Sequence, residues 1–370
     1  MQEIPLDALV NQVLWAAFGL SVAFGAIARH THFCTMGAVA DIVTFDDWTR
    51  LRMWALAAGV AIIGFNAMVA LGGVEASKSL YAGPRVLWLS ALAGGLMFGF
   101  GMVLASGCGS KTLVRIGGGN LKSLVVFIVL GIAAFATLKG ITAVARVATV
   151  DAVFIAVPAS QDLPSLLAPA TGVSRNVLAA VLGGALGMSL IVWALRRTEG
   201  RSLDNLLGGL GLGAIVVAVW WVSGRLGHLA EDPNTLEEAF LATNSHRMES
   251  LSFVAPIAYT LDWLLFFSDQ SKLLTIGIVS TAGVVAGSAL HALVTRSFRW
   301  EGFHDARDTA NHLVGATLMG VGGVCALGCT IGQGLSGLST LSLTSFVALA
   351  AILAGAVLAL RWQNMRIERT

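Results

Sequence analysis

Windows 53–71, 123–138, 205–222 and 343–360 each run without a single Asp, Glu, Lys or Arg. A helix needs about 20 such residues to cross the roughly 30 Å of hydrocarbon in a bilayer. No soluble fold buries so many uncharged runs around one core. Charged residues make up only 12% of the chain, against 56% hydrophobic ones. The sequence is that of an all-α integral membrane protein.

Hydropathy places about nine transmembrane helices, at 12–29, 52–71, 86–106, 121–140, 176–195, 205–223, 273–295, 310–327 and 343–360. Two further apolar stretches, 30–45 and 251–267, are short or interrupted by polar residues, and read as re-entrant half-helices. Irregular backbone at membrane depth is tolerated only where protein or a polar cavity surrounds it. With the C-terminus in the cytoplasm, 15 of the 23 Lys and Arg residues fall on that side, including Arg29, Arg50, Lys111, Arg115, Arg299 and Arg369. The acidic N-terminus (Glu3, Asp7) and the acidic 224–250 segment then lie outside, as the positive-inside rule requires. The first residues, MQEIPLDALVNQ, lack the basic start of a signal peptide. A net charge of +2 implies no nucleic-acid partner. The lipid bilayer is the partner that composition demands.

An internal repeat organises the chain. At an offset of 221, LAGGLMFGFGMVLASGCG (92–109) lies over LVGATLMGVGGVCALGCT (313–330), matching Gly94, Gly99, Gly101, Gly107 and Cys108 with Gly315, Gly320, Gly322, Gly328 and Cys329. The same offset pairs Asp41 with Asp262, so the Asp-to-Cys spacing is 67 residues in both halves. Apolar sequence matches itself easily, but a rare Asp and a rare Cys in one register do not. The matched spans run in opposite directions through the membrane, which makes the repeats inverted. The expected organisation is one membrane transport domain, 1–370, with repeat 1 at 12–140, connecting spans at 141–204 and repeat 2 at 205–360. Inverted repeats bind substrate at their interface, near discontinuous helices.

The Gly-Cys loops are the candidate site. GCGSKTLVRIGGGN (107–120) suggests a phosphate loop, but the motif requires glycines where Ala105 and Ser110 stand. Instead, Gly107, Gly109 and Gly328 let backbone close around Cys108 and Cys329, and helix starts beyond them aim N–H groups and positive dipole at an anion. A thiol adds a soft, polarizable contact that favours a sulfur-bearing anion over a hard oxyanion. Lys111 and Arg115 raise anion concentration at the cytoplasmic mouth or serve as topology signals, and Gln333 and Ser336 take the matching neutral places. Asp41 and Asp262 either orient the broken helices or couple protons. Cys325 reads as core packing, and His291 as interfacial. His30, His32 and Cys34 resemble a metal cluster, but they alternate on one short segment and have no counterpart in the other half, so no metal is expected there. No cofactor is implied.

With these residues in hand, the chain resembles the YeeE/YedE family of sulfur-compound transporters. The resemblance rests on HFCTMGAVADI (32–42), GCGSKTLVRIGGGNLKSL (107–124) and GCTIGQGLSGLS (328–339). It implies an inner-membrane protein shaped as an hourglass of inverted repeats, taking up thiosulfate through thiols that hydrogen-bond the ion. On that reading Cys108, Cys329 and Cys34 are substrate-binding. The segment around Val254–Pro256 departs from the pattern, because family members can carry a cysteine there. The resemblance also implies a possible small cytoplasmic sulfurtransferase partner, for which the basic inner face offers a dock. Two other activities fit the thiols. One is a membrane thiol enzyme or relay carrying sulfane sulfur as persulfide, or a selenium compound. The other is a soft-metal permease, against which the Met residues form no periodic array.

Overall fold

The computed structural model describes residues 6–233 and 235–367. Glu3 and Arg369, which entered the charge reading, lie outside the described residues. The first part of the chain forms α1 (Leu6–His30), α2 (Thr35–Phe45), α3 (Thr49–Ala70), α4 (Trp88–Leu104), α5 (Gly109–Gly117) and α6 (Leu121–Lys139). Shorter α7 (Ile141–Ala148) and α8 (Leu163–Thr171) lead to α9 (Arg175–Leu195). The next span, Leu203–Leu226, joins α10 (Leu203–Leu206) to α11 (Leu212–Trp221), with π-helical turns at Leu207–Gly211 and Val222–Leu226. Then come α12 (Ala255–Leu265), α13 (Ile276–Val294), α14 (Ala306–Cys325) and α15 (Leu343–Ile367). Among the described residues, strand is limited to two-residue pairs: β1 (Arg85–Val86) with β2 (Ile155–Ala156), and β3 (His228–Leu229) with β4 (Ala239–Phe240).

Among the described residues, eight helical stretches are long and apolar enough to cross a membrane. The ninth expected span is α14, and it is not among them because Asp308, Asn311 and His312 make its first turns polar. Those turns have partners. Asp305 caps the helix by accepting from the Asp308 N–H at 2.6 Å, and Asp308 holds the Lys122 ammonium at 2.9 Å. Large apolar side chains such as Ile132, Val181, Leu290 and Leu358 are more than half exposed on the helix exteriors. A water-facing surface would not spend so much apolar area this way, whereas lipid accepts it.

Without a hydrophobic drive between helices in lipid, small residues decide which helices touch. A Cβ added at Gly94 would sit 2.6 Å from the Gly322 carbonyl, and one at Gly101 would sit 2.7 Å from the Gly315 carbonyl. α4 and α14 therefore run antiparallel with their backbones in contact. At the 221 offset, Gly94 corresponds to Gly315 and Gly101 to Gly322, so each contact becomes the other when the two helices are exchanged. That is the signature of a two-fold axis between them. The outer contacts follow suit: Gly99 of α4 packs on Ile352 and Ala356 of α15, and Gly320 of α14 packs on Leu130 and Ala134 of α6. Here the matching residues are 222 apart, one more than before the loops. Each span that opens a half crosses to the other half, with α1 on α13 and α11 on α3.

The extra residue is absorbed in the second loop. Its backbone forms a π-helical turn at Gly332–Gly337, where the first half has the α-helical α5. Such turns insert one residue into a helix and are frequent at functional sites.

Candidate functional site: thiols at broken helices

Both α4 and α14 stop at the same kind of turn. The Ser106 N–H donates to Val103 O at 3.1 Å and the Gly107 N–H to Met102 O at 2.8 Å; Leu327 and Gly328 do the same with Val324 O at 3.0 Å and Gly323 O at 2.8 Å. This is a Schellman closure, whose key residue is left-handed. Glycine usually fills that place, but here it is Ser106 and Leu327, each at φ 56°. A leucine in that region is strained, and such strain clusters at ligand sites and switches. Sequence reasoning passed over both residues, because nothing in their type announces a left-handed turn.

The turns deliver Cys108 and Cys329 to the starts of the next helical segments. Cys108 caps α5, its sulfur 3.3 Å from the Ser110 hydroxyl. Cys329 accepts from the Gly332 N–H at 3.4 Å. Cys34 caps α2 in the same manner, accepting from the Gly37 N–H at 3.3 Å. All three are buried. The Cys34 and Cys108 thiols are direct neighbours, so the N-termini of α2 and α5 converge, and their positive dipole ends meet at sulfur. Cys329 lies close by on the far side, with Thr330 within reach of the Cys108 sulfur. The Thr330 hydroxyl makes no other hydrogen bond, and the buried Thr35 hydroxyl, beside Cys34, makes none. One donor with only the Cys108 sulfur in reach, Thr330, and one with no protein partner, Thr35, thus stand next to the thiols.

Gly107 and Gly328 each carry a long side chain folded over them. A Cβ at Gly107 would meet the Lys111 Cγ at 3.1 Å, and one at Gly328 would meet the Gln333 Cγ at 3.2 Å. Lys111 is four residues beyond its glycine and Gln333 five, which is the spacing the π turn imposes. A constant offset would pair Lys111 with Gly332. Gln333 donates its amide to Ala326 O, while its carbonyl oxygen has no partner. Gly109 is placed otherwise, its α-carbon facing the Phe253 carbonyl.

Cavities open at either end of this core. One, of about 470 Å³, is lined by Arg29, His32, Lys111, Arg115 and His291 among others. Arg29 is tied to Ser297 there, and His30 lies 3.3 Å from His291. The other, of about 140 Å³, is lined by Gly328, Ser252, Tyr259, Glu249 and Arg146 among others. α13 contributes Gly277 to the second and His291 to the first. At 1.5 Å rise per residue, about 20 Å of helix separates those two positions. The cavities therefore flank the thiols from opposite ends.

Asp41 and Asp262 do not reach the thiols. Asp41 lies 3.3 Å from Arg50 and Asp262 2.6 Å from Lys272, each pairing with a cation just beyond its own short helix. Cys325 is in α14, its carbonyl accepting from Ser90, apart from the three clustered thiols. His30, His32 and Cys34 do not form a metal-ligand group; none was found among the described residues.

Antiparallel helices broken at mid-length, with polar helix ends buried between cavities at opposite ends, define a helical membrane transport protein. Comparison of the sequence with known proteins narrows this. The chain belongs to the sulphur transport family, whose model matches residues 30–358. It is 25% identical over 315 residues to the thiosulfate transporter TsuA of Escherichia coli K12, covering 84% of this chain and 83% of that one. It is 23% identical to the thiosulfate transporter TsuA of Spirochaeta thermophila, over 91% of this chain and 94% of the relative. A 110-residue stretch is 33% identical to the probable transporter YedE of Escherichia coli K12, covering 30% of this chain and 26% of that one.

Proposed function

We propose that this protein takes up a small sulfur-containing anion, thiosulfate, across the inner membrane. The ion passes from the Gly328-side cavity to the Lys111-side cavity by way of Cys329, Cys108 and Cys34. The observation that carries this reading is the convergence of three buried thiols, each at a helix start, between two cavities. Helix N-termini supply N–H groups and positive potential to the anion. The thiols supply weak, polarizable S–H contacts suited to a terminal sulfur. Weak sequential contacts let the ion enter and leave, as conduction requires. Residues 12–140 and 205–360 form the two inverted repeats, and Lys111 with Arg115 faces the cytoplasm. Gln333, Gly107, Gly109 and Gly328 shape the loops, while Asp41 and Asp262 hold the short helices in place through their ion pairs. The similarity to two thiosulfate transporters supports the choice of ion.

The test is uptake of radiolabelled thiosulfate by cells that lack other routes for sulfur. Cys108→Ala and Cys329→Ala should each reach the membrane at normal levels and lose uptake. Wild-type uptake by both variants sinks the thiol pathway. A persulfide relay is separated from transport by intact-mass measurement, since only the relay leaves an added sulfur atom on the protein.

A further inference from the structure

The segment after Leu226 folds over the Cys329 end of the molecule and brings a carboxylate with it. Glu249 lines the cavity that contains Gly328, the residue before Cys329. Protein encloses the carboxyl group on most sides, and its open part faces the cavity. Its hydrogen bonds come from its own loop: the Ser245 hydroxyl donates to Oε2 at 3.1 Å, and the Asn244 N–H donates to the carboxylate. Among the described ion pairs, none includes Glu249. The one arginine lining this cavity, Arg146, is 3.0 Å from Asp151, which already matches its charge. Tyr81 and Tyr259 face Glu249 from neighbouring elements, and Lys139 is stacked over the Tyr259 ring rather than placed on the carboxyl group. α13, α14 and the turn after α14 contribute Gly277, Gly323, Val324, Leu327 and Gly328 to the lining, with no ionisable group.

An unpaired carboxylate on the way to an anion site is a contradiction while it stays ionised. At the effective dielectric of a partly buried site, a like charge a few ångströms away strongly opposes an anion. A bound proton removes that opposition. We propose that Glu249 is the proton-coupling site of this transporter: it must be protonated for the anion to pass, so proton and anion enter together. This rests on the thiosulfate reading above and adds the energy source to it. Burial pushes the Glu249 carboxyl up to about 7, against the pull of the Ser245 and Asn244 hydrogen bonds, so it titrates where a periplasmic pH change is felt. Asp41 and Asp262 are poor candidates for the role, because each is held by a cation.

The experiment uses the full chain in liposomes, with labelled thiosulfate outside and a pH-sensitive dye inside. For the wild type, lowering external pH from about 8 to about 6 should raise initial uptake about tenfold, following the protonated fraction. Adding thiosulfate should also acidify the lumen. Glu249→Gln, which mimics the protonated state, should transport at both pH values with its pH response reduced to less than about twofold and no acidification. Two outcomes overturn the coupling alone: wild-type uptake that ignores pH, or Glu249→Gln protein that still acidifies the lumen. Absence of uptake by the wild type at every pH overturns the thiosulfate reading and the coupling with it. Should Glu249→Gln protein fail to insert, Glu249→Asp serves instead; it keeps a titrating carboxyl, and a pH midpoint unchanged from wild type would overturn the assignment.

Discussion

The two Gly-Cys loops start from the same turn and end in different surroundings. The first opens onto a basic cavity with Lys111, Arg115 and Arg29 at its wall. The second meets only a smaller cavity at Gly328, and beyond it Thr330, Gln333, Ser336, Ser339 and Ser342 are all buried, with Ser336 donating to Leu251 O at 2.7 Å and Ser342 to Tyr81 O at 2.8 Å. The cause lies upstream. Residues 31–34 join α1 to α2, whereas residues 227–254 join the corresponding span to α12. The longer connection covers the second loop, supplies Leu251 O as a hydrogen-bond partner and brings in Glu249. A near-symmetric framework thus becomes asymmetric through one insertion and one π turn, which replace a cationic mouth by a covered one.

Four experiments press on this comparison, taken from the largest expected effect to the smallest. If the loops are two halves of one path, Cys108→Ser and Cys329→Ser should each cut thiosulfate uptake by about a hundredfold, the loss of two weak contacts of about 1.4 kcal/mol each. Cys325→Ser should stay within about twofold of wild type, because that cysteine lies off the cluster. Equal losses in all three would break the distinction between paired and unpaired thiols. Next, the α4–α14 contact tests the two-fold relation. Gly101→Leu and Gly322→Leu occupy equivalent places and should lower stability in detergent by similar amounts, about 1–3 kcal/mol, read as thermal midpoints. A large difference between them would show that only one contact is tight.

Third, Lys111→Gln makes the first loop chemically like the second. It should raise the half-saturating thiosulfate concentration on the Lys111 side roughly three- to tenfold at low salt, and the effect should shrink near 1 M salt. No change would leave Lys111 as a topology signal only. Last, the two aspartates differ in cover: the Asp262 side chain is 7% exposed and that of Asp41 19%. Asp262→Asn should cost about 1–2 kcal/mol of stability, less than a fully buried pair because Lys272 retains contact with solvent. Asp41→Asn should cost under about 1 kcal/mol. Loss of transport at normal stability in either variant would return that residue to the coupling role.

Much of the helical framework was legible because lipid demands it. Each expected span has its helix, and the short segments 30–45 and 251–267 contain α2 and α12. The constant offset of 221 led directly to the glycines that touch in α4 and α14. It misled after Cys329, where a π turn shifts the match by one residue, since local sequence does not say which hydrogen-bonding step a helix takes. It also set Cys34 against Ala255, whereas the residues in equivalent capping places are Cys34 and Val254. Glu249 stood in the sequence as one acid of an outside loop, with nothing to show that the loop folds back into the molecule.

By itself, the sequence determined a multi-pass helical membrane protein, the positions of its spans and the breaks at Gly-Cys. Those follow from the periodicity, length and charge that a bilayer imposes residue by residue. Tertiary structure decided which thiols meet, which loop stays open, and where the unmatched carboxylate points. These depend on contacts between residues far apart in the chain, such as Cys34 with Cys108 and the Gly328 loop with Glu249, and on turns whose conformation is chosen by what packs against them.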